Sequence, residues 1–338
     1  MVGQVAHIAN YIDLPSCRVV ALAELRPRLG RMAATRFGIP RLYESHHELL
    51  QDKEVEAVVV VTRPAAHGPI VLDVLESGRH VLSEKPMAHT VEQAERLVEA
   101  AERRKLRYAV GFMKRHDAGT QQAKAMLDTA RKSGELGRIV LMRAWCYGGE
   151  FRCGTSDFVM TDEARPDGLA TWPLAPEWLP PTSTPDYAAF LNVFVHDLNI
   201  LRYLAGSEPQ VRGVDLSRIN GRVAMLDFGS FPAVLEMADS ASLDWNEGVE
   251  VVFERGRLTL RFASPMLRNM PAQVELVRGG ERNELIAPKI GWNWCFRRQA
   301  ESFVHDVAAG HDPLASGKDS INDLRLAEAI WRHNSGSR

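Results

Sequence analysis

The feature that most limits what this chain can become is the alternation, over the first 115 residues, of short apolar strands with amphipathic helices. Strand, helix, strand in that order buries its backbone only as a parallel sheet with helices laid on both faces. Residues 18–23 read as a strand, 27–37 as a helix ended by Gly38, and 55–62 as a buried strand through Val58, Val59, Val60 and Val61. The cycle repeats with a helix over 69–77 stopped at Gly78, a strand at 80–82, a helix over 90–104 and a strand at 108–112. Thr90 and Gln93 form a capping box for the last helix, and Val91, Ala94, Leu97, Val98 and Ala101 share one face of it.

The start of this domain is unusual. Residues 3–12 read as a helix running toward the 18–23 strand with no strand before it. In a doubly wound sheet the first strand is central, and the turn leaving it carries the glycines that let a pyrophosphate approach backbone at a helix N-terminus. Gly3 fits that turn only as its last glycine. The expectation is that the natural product begins roughly ten to fifteen residues earlier with a Gly-x-Gly-x-x-Gly turn. The 338-residue chain should then bind a dinucleotide weakly.

Past residue 117 the pattern changes. A helix is expected over 120–132, a strand over 138–147, and then a long loop broken by Pro166, Pro173, Pro176, Pro180, Pro181 and Pro185. A helix over 188–205 ends at Gly206, period-two strands fill 211–287 with turns at Arg255-Gly256 and Gly279-Gly280, and helices return at 296–309 and 320–332. Two domains, 1–117 and 118–338, follow.

Composition excludes some partners. With 41 basic and 43 acidic residues interspersed, net charge −2, no basic footprint for nucleic acid or an anionic membrane is present. The longest apolar run is far shorter than the roughly 20 residues of a membrane span, and no signal sequence is visible, so a cytoplasmic protein is expected. Cys17, Cys146, Cys153 and Cys295 have neither disulfide-framework nor zinc-knuckle spacing, and no metal site is read.

The sharpest local signal is Gly78-Arg79-His80-Val81-Leu82-Ser83-Glu84-Lys85-Pro86, a helix end, a buried strand and a polar turn. Strand C-termini are where α/β sheets bind ligands, and Pro fixes the turn that aims Lys85. Taken alone, a Lys-Pro pair is commonly a surface feature. With Val58 to His67, with Asn192-Val193-Phe194-Val195-His196-Asp197-Leu198-Asn199, with Gly111-Phe112-Met113-Lys114-Arg115-His116-Asp117 and with the tail 312–319, the chain resembles the Gfo/Idh/MocA family of glucose-fructose oxidoreductases and inositol dehydrogenases. The resemblance runs from Gly3 to about Trp331.

It implies a Rossmann-type doubly wound parallel sheet followed by an α+β domain with an open, mainly antiparallel sheet, through which a homodimer or homotetramer would form. It implies NAD or NADP as cofactor and a sugar or polyol as substrate. Lys85 is assigned to the substrate hydroxyl and nicotinamide, where an ammonium stabilises developing oxygen charge. Thr62, Pro64 and His67 border the nicotinamide, with Glu84 and Gly3 also on the cofactor. Glu24, ending the second strand of such a fold, would accept from ribose hydroxyls and favour NAD, a preference that Arg26 softens. Lys114 or Arg115 would bind substrate hydroxyls or a carboxylate.

Asn192 and His196, four apart, share a helix face and match the family's catalytic helix. The usual Asp is replaced by Asn192 and a usual Gly by Phe194. Asn cannot carry the proton, so His196 and Lys85 must handle it while Asn192 orients substrate. Trp172, Trp178 and Tyr187 are candidates for stacking on a sugar ring, against the alternative of packing within their own loop.

The reading is an NAD(P)-dependent dehydrogenase or reductase acting on CH–OH groups. Its rivals are an NAD-using glycosidase of the same fold, a non-catalytic sugar- and dinucleotide-sensing regulator, and a nonfunctional fragment.

Overall fold

The computed structural model describes every residue except 165, 219, 281, 282, 337 and 338. Its contacts divide the chain into two units. The first holds Met1–Gly111, Ser156–Thr184 and Phe296–Ile321; the second holds Phe112–Thr155, Pro185–Cys295 and Asn322–Arg338. A single cut after residue 117 therefore does not describe the chain, because the proline-rich segment and part of the tail return to the first unit.

The first unit opens with a π-helical turn, Gly3–Ile8, continued by α1 (Ala9–Ile12). Then come β1 (Ala21–Ala23), α2 (Pro27–Phe37), β2 (Arg41–Tyr43), α3 (His46–Leu49), β3 (Ala57–Val60), α4 (Pro64–Glu76), β4 (His80–Ser83), α5 (Val91–Arg103) and β5 (Tyr108–Val110). The strands are parallel and form two ladders, β1-β2 and β3-β4-β5. β2 and α3 carry no apolar run. Ser45, whose Oγ accepts from Glu48 N–H at 3.2 Å, and Glu48, whose carboxylate takes Glu44 N–H at 3.1 Å, make α3 a capped helix.

Local rules explain the longer helices. α2 has Pro27 in its first turn and ends at Gly38 with φ +63°, where a side chain would be strained. α5 is capped by Thr90, whose Oγ1 accepts from Gln93 N–H, while Gln93 Oε1 accepts from His89 N–H at 3.0 Å. α4 carries Pro69 in its interior. Proline cannot donate to the carbonyl four residues back, so the Ala65 oxygen is released to accept the N–H of Trp172 at 2.8 Å.

One face of the β3-β4-β5 ladder is covered by Tyr11 and Leu14 and by Ala300 and Phe303 of α9 (Cys295–Ala309), packed on Leu82 and Ala109. Each large side chain buried here contributes about 1.5–3 kcal/mol. The 312–319 segment lies along the outer side of β5, with Val110 N–H bonded to the Ala315 oxygen.

In the second unit a 3-10 turn, Met113–His116, leads to α6 (Ala118–Ser133), capped by Asp117. β6 (Ile139–Gly148), β7 (Gln210–Arg218), β8 (Gly221–Asp227), β9 (Pro232–Ser240), β10 (Asn246–Phe253), β11 (Gly256–Phe262), β12 (Gln273–Arg278) and β13 (Glu284–Ile286) make one sheet, ordered β13-β12-β11-β10-β6-β9-β8-β7. It is antiparallel except where β6 lies parallel to β9. The helix expected over 188–205 is two, α7 (Thr184–Val193) and α8 (Val195–Ala205), interrupted at Phe194. Leu191, Leu198 and Leu201 are fully buried, as are Met142, Ala144 and Leu235 on the sheet. The last helix, α10, is Gly317–Gly336. Among the described residues no helix is long and apolar enough to cross a membrane.

Candidate functional site

In the first unit the chemistry-bearing residues gather where β1, β3 and β4 end. β4 closes at Ser83, whose hydroxyl pairs with Tyr108 at 3.2 Å, and the chain leaves the sheet at Glu84 and Lys85. Glu84 is held from three sides. Its Oε1 accepts from His7 Nε2 at 2.8 Å, its Oε2 accepts from Lys85 N–H at 3.2 Å, and a Cβ on Gly111 would stand 3.2 Å from its Cα and Cδ. Burial alone would raise this carboxyl. The His7 hydrogen bond, the charges of His7 and Lys85 and the Lys85 N–H outweigh it and hold Glu84 below the ordinary range. Glu84 thus anchors the Lys85 turn, whereas a role on the cofactor had been expected of it. Lys85 itself is half-buried.

At the end of β3, Thr62 Oγ1 lies 3.3 Å from His67 Nδ1, and Pro64 opens α4. Burial drops His67 to about 4, and burial with the nearby His67 charge drops His89 to about 4, so both imidazoles are neutral at pH 7. At the end of β1, Arg26 grips Glu24 with Nε at 2.8 Å and Nη2 at 3.1 Å, and Arg26 N–H adds a third bond at 3.1 Å. Gly3 brings the helix start against the end of β3, with a Cβ there 3.7 Å from Val61. That is ordinary contact, so glycine is not required at this position for packing.

The aromatic candidates for sugar stacking are largely spent on packing. Trp172 lies on the backbone of α4, where a Cβ on Gly68 would run into its ring, and Arg96 covers it 4.7 Å from the ring centroid. Tyr187 is fully buried, edge-on to Trp331 at 5.5 Å. Trp178 is half-buried in the same proline-rich segment.

In the second unit Asn192 is exposed on the last turn of α7, and His196 is half-buried in the first turn of α8, edge-on to Phe112 at 5.9 Å. Lys114 and Arg115, expected to bind substrate hydroxyls or a carboxylate, are buried and paired within the protein. Lys114 is buried in an ion pair with Glu247, its ammonium 5.0 Å above the Phe262 ring. Burial lowers its pKa against the pull of Asp197, Cys146 and Cys295. Arg115 gives its Nε to Asn199 Oδ1 at 2.7 Å and stacks on Tyr203; Asn199 in turn donates to Asp323, which is bonded by Arg202. A buried fork satisfied in this way is structural.

Sequence reasoning assigned no role to several of these residues. Asp197 is 1 % exposed, and both its oxygens lack hydrogen bonds. Burial pushes it up to about 6, with Lys114 opposing. Cys146, Asp197 and Glu247 lie close enough to share one small cation, but the Lys114 ammonium already pairs with Glu247 there. His7 and Glu163 were also missed. The one sign of His7 was a polar residue on the apolar side of the first helix.

A dinucleotide fits the strand ends of the first unit on the chemistry of its donors. Glu24 supplies the acceptor that a ribose requires, and the first turn of α2 already holds an anion, Glu163, whose two oxygens accept from Arg28 N–H and Leu29 N–H at 2.8 Å each.

Comparison with known proteins agrees with this. Residues 2–112 match the model of the oxidoreductase family with an NAD-binding Rossmann fold, Gfo/Idh/MocA. Over that stretch the chain is similar to the family's NAD-binding domain. It is 29 % identical over 255 residues to an inositol 2-dehydrogenase of Rubrobacter xylanophilus, covering 74 % of this chain and 66 % of that protein. It is 24 % identical over 205 residues to a scyllo-inositol 2-dehydrogenase (NAD(+)) of Bacillus subtilis, covering 60 % and 51 %. The chain therefore spans about half to two thirds of the length of these curated relatives. In fold it is similar to a 3-ketoreductase from Actinomadura kijaniata solved with NADP and TDP-benzene, with TM-score 0.76 and 20 % identity over 98 % of this chain and 94 % of that one.

Proposed function

We propose that this chain is a member of the Gfo/Idh/MocA family, an NAD(P)-dependent dehydrogenase or reductase acting on a CH–OH group of a sugar, polyol or sugar derivative. The observation that carries the reading is the anchored turn at the end of β4, where His7 and the Lys85 N–H fix Glu84 and so set the backbone from which Lys85 projects. The bound nicotinamide would accept or give the hydride. Glu24, Arg26, Thr62, Pro64 and His67 would hold it, with Gly3 at the adjoining helix start. Lys85 donates a hydrogen bond to the reacting oxygen, stabilising its charge, and His196 takes or returns the hydroxyl proton. Asn192, unable to ionise, orients a substrate hydroxyl. We read the enzyme as a cytoplasmic homodimer or homotetramer joined through the eight-stranded sheet, where Val223 is 41 % and Met225 52 % exposed.

The test follows nicotinamide absorbance with NAD+ and NADP+ against a panel of inositols, aldoses and sugar acids. Turnover with at least one is expected. Phenol release from an aryl glycoside without net reduction of cofactor would instead establish the glycosidase.

A further inference from the structure

The described residues between Ser156 and Pro173, 156–164 and 166–173, lie as a strap across the first unit's own strand ends. Gln4, in the first turn of the chain, holds it in both directions, giving Nε2 to the Val159 oxygen at 2.9 Å and accepting Val159 N–H at 2.8 Å. Farther along, Arg63 Nη2 bonds the Pro166 oxygen at 3.1 Å and Trp172 N–H bonds the Ala65 oxygen. Between these points the strap delivers a carboxylate to the start of α2. Arg26, the N-cap residue, gives the helix no side-chain cap, and Pro27 has no N–H, so Arg28 and Leu29 present the unsatisfied donors of the first turn. Glu163 takes both, and Thr161 Oγ1 braces it at 2.8 Å. Arg28 also pairs with Asp162 of the strap. Beside this seat stands Glu24 in its grip by Arg26.

In a doubly wound fold this corner receives the adenosine ribose. An acid there meets the 2′-hydroxyl of NAD, while an arginine and nearby donors take the 2′-phosphate of NADP. We propose that Glu163 is a specificity-determining residue, an internal anion seated where a 2′-phosphate would bind, and that it sets this chain against NADP. A hydroxyl can donate to either carboxylate. A phosphate bearing close to two negative charges must displace Glu163 from the two N–H groups it takes or share the seat with it, and like charges in one seat repel strongly.

The inference rests on the cofactor reading above, and its test separates the two. Dissociation constants for NAD+ and for NADP+ are measured by calorimetry on the parent chain and on Glu163→Ala, Glu163→Gln and Asp157→Ala. Asp157 is a strap anion paired with Arg36 on the last turns of α2, away from the seat, and so controls for loosening the strap. Glu163→Gln keeps the shape and one acceptor, so it answers even where the alanine variant loses structure. Both Glu163 variants are expected to tighten NADP+ about tenfold relative to NAD+, with Asp157→Ala leaving the ratio unchanged. A ratio unmoved by both Glu163 variants, or moved as much by Asp157→Ala, overturns the assignment of Glu163. No binding of either dinucleotide to any of the four chains overturns the cofactor reading instead, and this inference with it.

Discussion

Glu84 in the first unit and Asp197 in the second are largely buried carboxylates, each next in sequence to a residue of the proposed chemistry, Lys85 and His196. Burial pushes both toward the neutral acid, and only one yields. Glu84 receives hydrogen bonds from His7 and from Lys85 N–H and stays below the ordinary carboxylate range. Asp197 receives none at its oxygens and rises to about 6 despite Lys114. Where two donors and two nearby positive charges act together they outweigh desolvation; where the help comes from the Lys114 ammonium and the residue's own backbone N–H, desolvation wins. Glu84 is therefore a fixed negative anchor for a reactive turn, and Asp197 a group whose charge depends on pH near its neighbour His196.

The comparison matters only if the two neighbours do chemistry, and that carries the largest expected effect. Lys85→Ala should lower turnover about a hundredfold or more with little change in cofactor affinity. His196→Ala should cost a similar factor and flatten one limb of the pH–rate profile. Steady-state kinetics across pH decide both, and a variant with parental turnover removes that residue from the mechanism.

Removing the ammonium should come next. Lys114→Met leaves Glu247 and Asp197 buried without a cation, which costs about 3–5 kcal/mol when one partner of a buried pair is lost. Urea unfolding measures it. A loss well below about 1 kcal/mol would mean that water reaches the cluster and that burial is not what raises Asp197.

Asp197 itself gives a signed prediction. Its folded pKa of about 6 lies above the ordinary 3.8, so the folded state holds a proton that the unfolded state releases. Stability should fall as pH rises from about 4 to about 6 and then level, by an amount on the order of 3 kcal/mol from this residue. Asp323, also raised to about 6 by burial, has the same sign, so the informative quantity is the difference between parent and Asp197→Asn. Parallel stability curves for the two would show that Asp197 is not perturbed.

How much of this was visible in the sequence depends on distance along the chain. The Lys85 turn was legible because helix end, strand and proline follow one another within a few residues. The helix and strand alternation was legible for the same reason, although β1 and β3 pair over shorter stretches than their apolar runs suggested. β2 lacks an apolar run altogether. The reading failed where a partner lies far away in sequence. Nothing near Arg115 announces Asn199, nothing near Glu84 announces His7, and Trp172 finds its place only because Pro69 frees a carbonyl in another element. Periodicity reports which face is buried, not which polar groups meet there.

The smallest effect tests the anchored side of the comparison. Glu84→Gln keeps one carbonyl oxygen for either His7 or Lys85 N–H but turns an amide donor toward the other, so one of two charge-assisted bonds is lost and two donors face each other. At pH 7 this should cost about 1–2 kcal/mol. The sign with pH is opposite to that of Asp197. A carboxyl held below its ordinary 4.5 contributes stability that is present above that value and is lost as pH falls through the folded pKa. The parent should therefore lose stability on acidification below about 4.5, and the Glu84→Gln variant should lose less over the same interval, with the two curves converging in acid. Because the anchor sets the backbone of Lys85, turnover at neutral pH should fall while the Michaelis constant for cofactor stays near the parental value. Thermal unfolding from pH 3 to 8 together with kinetics at pH 7 reads both. Acid limbs that run parallel, with turnover unchanged, would show that Glu84 is neither charged by its partners nor holding the turn, and the contrast with Asp197 would collapse into two carboxylates that burial treats alike.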